Sequence, residues 1–319
     1  HRLKKVVDKE LKEYKDTEPN RMRTAFRKII LQLPGRCLDL PAEDKSLPVT
    51  RQEGTQNVVS VGPYMVGNTI LEGSYGSLHM AQHRDYGECL LRLVPKSDVS
   101  RRLADILQLD REVCIMTNLS PHPNIVKAHA VLNVAGYFVC ALEYAGALHL
   151  QQYTRNLLDR DNCFALPCGL VEHLAEQMAI AVDHMHRHRV INRNLKTDNW
   201  IVSGSEEAPV IQLVDFTLAT QVVDPKQVLK ESCGSLPFCA PEIYRLTEEA
   251  LRSGPEGYCG FAADIWSLGV CFMELVCGPY SIEQRLGWLP HQPTNPHVIL
   301  SGLQSLPERW AQAVEERDG

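Results

Sequence analysis

The sequence predicts an α+β protein in which a small, mainly antiparallel β part precedes a large, mainly helical part. Short strand-like runs at 88–94 and 131–142 lie on either side of one helical segment near 102–119. Beyond residue 145 long helical patterns dominate, and residues 169–188 form one of them. Residues 262–276 are apolar on almost every side, which indicates a helix that is buried on all its faces.

A helical leader precedes the β part. Apolar residues recur at helical spacing through 2–33, Pro19 interrupts the pattern, and Pro34-Gly35 ends it. A helix pair or a kinked helix is therefore expected, followed by loop sequence. The predicted domain boundaries are a helical extension with its linker at 1–63, a β-rich lobe at 64–144 and a helical lobe at 145–319.

Composition and charge exclude several classes of protein. Of the 319 residues, 44% are apolar and 23% are charged, which is the balance of a globular protein and not of a disordered chain. The formal net charge is −6, whereas a nucleic-acid binder usually has an excess of Lys and Arg, so no nucleic-acid partner is expected. No run of 18 or more apolar residues occurs, so no membrane-spanning helix is predicted.

The charge is unevenly distributed along the chain. Residues 1–30 hold ten basic and five acidic side chains, while the remainder carries 23 basic and 34 acidic ones. A basic leader of this kind can contact an anionic membrane surface. Because acidic residues are interspersed with the basic ones, we favour the alternative, a leader docked on the main body with its charges in solvent.

Eleven cysteines bear on the metal content and on the compartment. None are arranged as Cys-x-x-Cys, so the sequence does not support a zinc site. Several lie in loop-like sequence, where a disulfide would require an oxidising compartment, whereas free thiols throughout would favour the cytoplasm. The cysteine count leaves both alternatives open.

Ordered motifs along 64–280 resemble those of the protein kinase family, and the first is ILEGSYGSL at 70–78. It resembles the glycine-rich hairpin in which backbone amides come close to nucleotide phosphates. Gly73 and Gly76 occupy two of the three glycine positions, and Leu71 occupies the other.

The second motif, CLLR at 89–92, stands where the family has Val-Ala-Ile-Lys. The resemblance places Arg92 at the phosphate-binding lysine and Glu112 at the helix glutamate that pairs with it. A guanidinium is bulkier and planar, so this exchange is not conservative at a phosphate site. Leu90 replaces a small alanine that normally lies against adenine, and we expect its bulk to fill space that the base needs.

The third motif, NRNLKTDN at 192–199, is the most specific, because it resembles the catalytic loop His-Arg-Asp-Leu-Lys-x-x-Asn. Asn194 stands where the family has the aspartate that accepts the substrate hydroxyl's proton, and a neutral carboxamide is not a useful base. Asn192 replaces the histidine of the motif. Lys196 and Asn199 remain, the latter at a magnesium-binding position.

The fourth motif, DFT at 215–217, resembles Asp-Phe-Gly. The metal-binding aspartate is present as Asp215, but Thr217 replaces the glycine, and a β-branched residue stiffens the loop. CGSLPFCAPE at 233–242 resembles the end of the family's activation segment, so residues 215–242 are called the activation segment below. DIWSLG at 264–269 resembles the buried helix whose aspartate holds the catalytic loop.

The resemblance implies a two-lobed kinase fold. The positions at which this sequence differs from the family's motifs predict the chemistry of the chain. Because Arg92, Asn194 and Thr217 replace residues used in phosphoryl transfer, we expect no enzyme but an inactive pseudokinase, a protein-interaction scaffold or allosteric regulator without a cofactor. The nucleotide-binding residues that would then be vestigial are Gly73, Gly76, Glu112, Asn199 and Asp215. The alternative is a weak or unconventional protein Ser/Thr kinase that uses Arg92, Asn199 and Asp215 with ATP and magnesium. Asn199 and Asp215 would then be the metal ligands.

The helical leader, the cysteines and the altered residues further resemble secreted rhoptry-type kinases and pseudokinases of apicomplexan parasites, bradyzoite pseudokinases among them. This narrower resemblance implies secretion into the parasitophorous vacuole, cyst wall or host cell, with a cytoplasmic location as the alternative. It also implies protein partners, such as an active kinase or a host or vacuolar protein. In the activation segment Ser232, Ser235 and Thr220 are candidate phosphorylation sites, with Arg193 to receive the phosphate, although ordinary loop hydroxyls are the favoured interpretation.

Overall fold

The chain forms two compact units, which are described here one after the other. The first comprises His1–Pro121 with Val126–Tyr144, and the second His122–Ile125 with Ala145–Gly319. A computed structural model describes residues 2–10, 12, 19–32, 38–73, 76–100, 102–163, 165–246 and 257–318. The predicted helix end at Pro34-Gly35, and Ser74 and Tyr75 of the glycine-rich motif, lie outside the described residues.

The first unit is built on a seven-stranded antiparallel sheet with the order β1-β2-β3-β4-β5-β7-β6. Its strands are β1 (Val49–Arg51), β2 (Val58–Val61), β3 (Tyr64–Gly73), β4 (Gly76–His83), β5 (Gly87–Pro95), β6 (Ala128–Val134) and β7 (Tyr137–Glu143). Alternate residues of β5, namely Cys89, Leu91 and Leu93, are at most 2% exposed and pack with Val139 and Ala141 of β7. This period of two is the one that the pleat of a half-buried strand imposes.

Helices cover the other face of this sheet. They are α1 (Arg2–Glu10), α2 (Pro19–Gln32), α3 (Lys96–Val99) and α4 (Leu103–Asn118). Val113 of α4 packs with Phe138 of β7 in a buried cluster that also holds Val7 of α1 and Ala25 of α2. The leader is therefore a pair of helices, and burial of its apolar side chains docks it on this unit.

The second unit is mainly helical, and its described residues form three small antiparallel sheets, ordered β11-β10-β8, β12-β9 and β13-β14. Its elements are β8 (Leu148–His149), α5 (Leu150–Asp161), α6 (Cys168–Arg187), β9 (Val190–Ile191), β10 (Trp200–Gly204), β11 (Pro209–Leu213), β12 (Thr220–Gln221), β13 (Val228–Leu229), α7 (Pro241–Tyr244), β14 (Tyr258–Cys259), α8 (Gly260–Cys277), α9 (Ser281–Leu286) and α10 (Pro296–Asp318). A 3₁₀ turn at Thr197–Asn199 ends the catalytic loop.

Helix α8 lies in the core of the second unit, where three of its polar side chains, Asp264, Ser267 and Glu274, are at most 6% exposed. Within the described part of the chain, α8 alone has the length and apolar composition that a membrane-crossing helix needs, with a mean hydropathy of 1.5. Half of that stretch is buried inside the fold. Core helices pass the same test, so this is weak evidence for a membrane span.

The structure divides one predicted element into two strands, and it places two helices in a region for which no element was predicted. The run at 131–142 is the β6-β7 hairpin, whose turn contains Gly136 with a φ of 83°. Glycine adopts positive φ readily because it has no Cβ to clash, so Gly136 allows the chain to turn here. The apolar residues on both sides of the turn made the run look like a single strand. Beyond Gly278, helices α9 and α10 follow.

Gly76→Ala should destabilise the first unit much more than Gly136→Ala. Both glycines have positive φ, at 107° and 83°, which costs an alanine about 1 kcal/mol. A Cβ at Gly76 would lie 2.1 Å from the carbonyl oxygen of Leu93, whereas at Gly136 nothing lies within 4 Å. Urea denaturation should give a loss of about 1 kcal/mol for Gly136→Ala and at least about 2 kcal/mol more for Gly76→Ala. Equal losses would mean that the sheet yields to the added atom.

Candidate active site

The glycine-rich motif forms the β3-β4 hairpin of the first unit. Gly73 lies opposite Gly76, and Leu71 lies opposite Leu78. Leu71, at the position where the family has a glycine, is 62% exposed. A Cβ at Gly73 would be in ordinary contact, 3.6 Å from the carbonyl oxygen of Gly76. The fold therefore requires glycine at position 76 but not at position 73.

Arg92 of β5 and Glu112 of α4 form a largely buried ion pair, in which Arg92 Nη1 donates to Glu112 Oε1. Their side chains are 19% and 5% exposed. Each charge needs the other, because a buried charge without a partner costs several kcal/mol. Cys140 of β7 lies opposite Arg92, and burial, together with the Glu112 carboxylate, raises the pKa of its thiol to about 12.

Leu90 stands at the family's alanine position, in register with Met80 of β4 and Leu142 of β7. Successive residues of a strand alternate between its faces, so Leu90 shares a face with Arg92, two residues on. Its side chain is half-buried. The bulk of Leu90 therefore lies on the face of the sheet that carries the guanidinium.

In the second unit, the carboxylate of Asp264 holds the catalytic loop through its backbone. Asp264 is fully buried, and it accepts the N–H of Asn192 and the N–H of Arg193, each at 2.8 Å. His186 Nε2 lies 3.0 Å from the same carboxylate. Arg193 has a φ of 66°, a conformation that a residue other than glycine keeps only when its surroundings enforce it. Asp264 supplies that constraint.

Asparagine side chains connect the catalytic loop internally and join it to Asp215. Asn192 accepts the N–H of Asn194 at 3.0 Å and donates to the carbonyl oxygen of Asp215 at 3.2 Å. Asn199 donates through Nδ2 to the carbonyl oxygen of Asn194 at 2.8 Å. Asn192, which replaces the family's histidine, thus bridges the catalytic loop and the start of the activation segment.

The carboxamide of Asn194 has a defined orientation. Its Nδ2 lies 3.4 Å from Asp215 Oδ2 as a donor, and its Oδ1 accepts the hydroxyl of Ser235 at 2.9 Å. A carboxamide can donate to a carboxylate, which an ionised aspartate at this position could not do. The amide therefore suits the negative charge of Asp215, but it has no basic lone pair to take up a proton.

Asp215 and Asn199 provide oxygen atoms of the kind that magnesium binds. Asp215 is exposed, has a φ of 66° and accepts the N–H of Thr217 at 3.0 Å. Thr217 itself is not among the described residues with positive φ, so this arrangement does not need a glycine there. No group of three or more His, Cys, Asp and Glu side chains among the described residues is placed to hold a metal ion. One carboxylate and one carboxamide fit magnesium, which usually completes its coordination with phosphates and water.

The three residues considered as phosphorylation sites lie in the second unit, where each is either buried or hydrogen-bonded. Thr220 is 8% exposed and lies on β12, opposite Ile191 of β9. Ser235 donates to Asn194, as described above. Ser232 donates to the carbonyl oxygen of Ile243 at 3.4 Å. The interpretation as ordinary loop hydroxyls remains the better one.

Glu274 of α8 is a site residue that the sequence motifs did not reveal. Its carboxylate accepts the hydroxyl of Thr197 at 2.6 Å and the N–H of Tyr280 at 3.1 Å. Burial raises its pKa to about 7 against the effect of the Thr197 hydrogen bond, and the carboxylate of Glu283 adds to the rise. The signal in the sequence was a glutamate inside an otherwise apolar helix. Glu274 anchors the turn that carries Asn199.

Comparison with known proteins agrees with the motifs and with this geometry. A family model described as the protein kinase domain matches residues 64–288. The chain belongs to the protein kinase family. It is 29% identical over 291 residues to the serine/threonine-protein kinase SIK1 of Rattus norvegicus, and 28% identical over 250 residues to sucrose non-fermenting protein kinase 1 of Fusarium virguliforme. The alignments cover 86% and 78% of this chain and 32% of each relative, so the chain spans about a third of their length.

The family assignment confirms the predicted two-lobed α+β kinase fold and corrects the predicted chemistry. The expectation that the chain is not an enzyme is wrong, because the relatives of this kinase domain are named as protein kinases. That expectation rested on Arg92, Asn194 and Thr217. Positioning and electrostatic stabilisation supply most of the rate in phosphoryl transfer, so replacing these residues does not by itself remove the reaction.

Removing one member of the Arg92–Glu112 pair should destabilise the kinase domain more than removing both. Glu112→Gln removes the carboxylate that faces a largely buried guanidinium, and we expect a loss of about 2 kcal/mol. Replacing both residues by apolar ones, in Arg92→Met with Glu112→Leu, should recover at least half of this loss. A double-mutant cycle by urea denaturation measures the coupling, and strictly additive losses would show that the two charges do not depend on each other.

The raised pKa of Glu274 should make the kinase domain less stable as the pH rises. Its pKa is about 7 when folded against an ordinary 4.5. The folded state therefore binds more protons between these values, and the free energy of unfolding falls as the pH rises from 4.5 to 7. The glutamine in Glu274→Gln can accept the N–H of Tyr280 and donate to the hydroxyl oxygen of Thr197. The variant should therefore lose this dependence of stability on pH, and its free energy of unfolding at pH 8 should be higher by about 2 kcal/mol.

Urea denaturation at pH 5, 6, 7 and 8 measures the effect of Glu274→Gln. Glu172→Gln, on the exposed face of α6, is the matched control and should keep the slope of the unmodified chain. If Glu274→Gln keeps that slope as well, Glu274 does not hold the proton in the folded state.

Proposed function

We propose that this chain is a serine/threonine protein kinase domain that transfers the γ-phosphoryl group of ATP slowly. The observation that carries the proposal is the arrangement of the second unit. Asp264 holds the catalytic loop through two backbone amides, and Asn194, Asn199 and Asp215 are connected by hydrogen bonds around it. Relatives named as serine/threonine-protein kinase SIK1 support the same reaction class.

Each charged or polar group then has a role that its chemistry allows. Asn199 and Asp215 would hold magnesium, which when bound neutralises negative charge on the phosphates. Arg92, fixed by Glu112, would bind phosphate oxygens through the parallel N–H groups of a guanidinium. Lys196 lies 3.6 Å from the exposed carboxylate of Asp198. Such a pair is weak in solvent, so Lys196 can turn to a phosphate at little cost.

Asn194 orients the substrate but does not deprotonate it. Its Oδ1 accepts a hydroxyl from Ser235 at 2.9 Å, which shows that the oxygen is aimed where a serine hydroxyl can reach it. A substrate serine or threonine that replaced Ser235 as the donor would be positioned in the same way. The carboxamide has no basic lone pair. The rate therefore lacks the contribution of a general base, which is about 10²- to 10⁴-fold.

The predictions of the compartment and of the partners come from the sequence. The ten cysteines within the described residues are free, so the structure offers no support for the disulfide that was considered. Secretion in the manner of rhoptry-type kinases, and protein partners such as an active kinase or a host or vacuolar protein, stay predictions.

Asn194→Asp should raise the rate of phosphoryl transfer, because it supplies the general base that the loop lacks. We expect kcat on a degenerate serine/threonine peptide library, with ATP and Mg²⁺, to rise about 100-fold. Asn57→Asp adds the same charge in an exposed part of the first unit and should leave kcat unchanged. Asp215→Asn should lower it below detection.

A separate measurement distinguishes loss of binding from loss of chemistry. Saturating ATP with Mg²⁺, at 100 times its dissociation constant, should stabilise the domain by about 2.7 kcal/mol in a thermal-shift experiment. If neither the unmodified chain nor Asn194→Asp transfers phosphate while ATP still binds, the proposed reaction is wrong. If ATP gives no shift, the proposed phosphate and metal roles are wrong as well.

A further inference from the structure

The guanidinium of Arg193 is almost completely buried and binds two parts of the activation segment. Its side chain is 3% exposed. The Nε group donates to the carbonyl oxygen of Leu218 at 2.7 Å, and Nη1 donates to the carboxylate of Glu231 at 2.9 Å. A guanidinium taken out of water to this extent requires an anion close by, and Glu231 supplies one from within the chain.

The backbone around Glu231 is fixed independently of its carboxylate. Strands β13 and β14 pair Val228 with Cys259 and Leu229 with Tyr258. Tyr258 is 3% exposed, and its hydroxyl donates to the carbonyl oxygen of Glu231 at 3.0 Å. These contacts hold the backbone at Glu231 without help from its carboxylate. The fold therefore places the Glu231 carboxylate beside Arg193. The 61% exposure of the Glu231 side chain places this contact at the surface.

We propose that Glu231 is a positioning residue whose carboxylate provides the anion that Arg193 needs, so that the activation segment is ordered without phosphorylation. A phosphorylated side chain would bring about −1.5 to −2 charges to such a site, and a carboxylate brings −1. Of the residues that could carry a phosphate, Ser232 and Ser235 donate their hydroxyls elsewhere, and Thr220 is 8% exposed. The anion site of Arg193 is filled by an acidic side chain of this sequence.

Arg193 connects this contact to the reacting groups. It precedes Asn194 in the catalytic loop, and Leu218, which its guanidinium holds, follows Asp215 by three residues. When Glu231 is neutral, the buried guanidinium has lost its counter-charge, and its hold on the start of the segment weakens. The hydrogen bond between Asn194 and Asp215 should loosen with it. This kinetic consequence rests on the proposed function, whereas the ordering of the segment does not.

The experiment compares Glu231→Gln with Asp224→Asn, a matched control in the same segment. Both changes remove one negative charge and keep an acceptor oxygen, and the carboxylate of Asp224 caps its own turn through the N–H of Lys226. Hydrogen exchange of residues 215–242 should accelerate about tenfold or more in Glu231→Gln and stay unchanged in Asp224→Asn. The value of kcat should fall about tenfold in Glu231→Gln with a smaller change in KM, and Glu231→Asp should recover part of it.

Rescue by an added anion tests the charge itself. In Glu231→Ala, 20 mM inorganic phosphate should raise Tm by several degrees over chloride at equal ionic strength, because phosphate can take the vacated place beside Arg193. The unmodified chain should shift by less than about 1 °C. Equal exchange rates in Glu231→Gln and Asp224→Asn, or equal phosphate shifts in Glu231→Ala and the unmodified chain, would overturn the proposal. Absence of phosphoryl transfer by the unmodified chain would contradict only the proposed function, because the exchange and Tm measurements need no activity.

Discussion

The carboxylate of Asp264 is the constraint on which the candidate active site depends. It lies in the apolar helix α8 without contact to solvent, and it accepts the backbone amides of Asn192 and Arg193. Hydrogen bonds to a charged acceptor are roughly twice as strong as neutral ones. They hold Arg193 in a left-handed conformation that sets the direction of every side chain that follows in the loop. This anchor adds to the hydrogen bonds by which Asn192 and Asn194 join the loop to Asp215.

A similar electrostatic arrangement occurs in each unit. Arg92 is paired with Glu112 on the first unit's helix α4, and Arg193 is paired with Glu231 in the second unit's activation segment. In both cases a guanidinium that is at least four-fifths buried joins two segments distant in sequence. An arrangement of those segments that separated the two charges would leave a buried charge unpaired, at a high cost in free energy. The main effect of each pair is therefore to disfavour such arrangements, and its net contribution to stability is small. The kinase domain uses these pairs to fix where its polar groups lie.

The motifs predicted the fold and most of the site, because they resemble those of the protein kinase family. The resemblance identified the helix around Asp264, the Arg92–Glu112 pair and the catalytic loop. It did not identify Glu231 and Glu274, because neither belongs to a motif and their contacts with Arg193 and Thr197 depend on the fold. The predicted inactivity failed for a different reason. It took the replacement of Arg92, Asn194 and Thr217 to remove the reaction, whereas the relatives of this kinase domain are named as protein kinases.

The asparagines of the catalytic loop explain how it stays ordered beside a charged group. Asn192, Asn194 and Asn199 are neutral. Asn192 and Asn194 donate to Asp215, and Asn199 donates to the carbonyl oxygen of Asn194. An aspartate at position 194 would place a second carboxylate within about 4 Å of Asp215, and like charges at that distance repel by several kcal/mol at the effective dielectric of a protein surface. A cation would then be needed to hold the loop together. The carboxamide removes that need, but it cannot act as a general base.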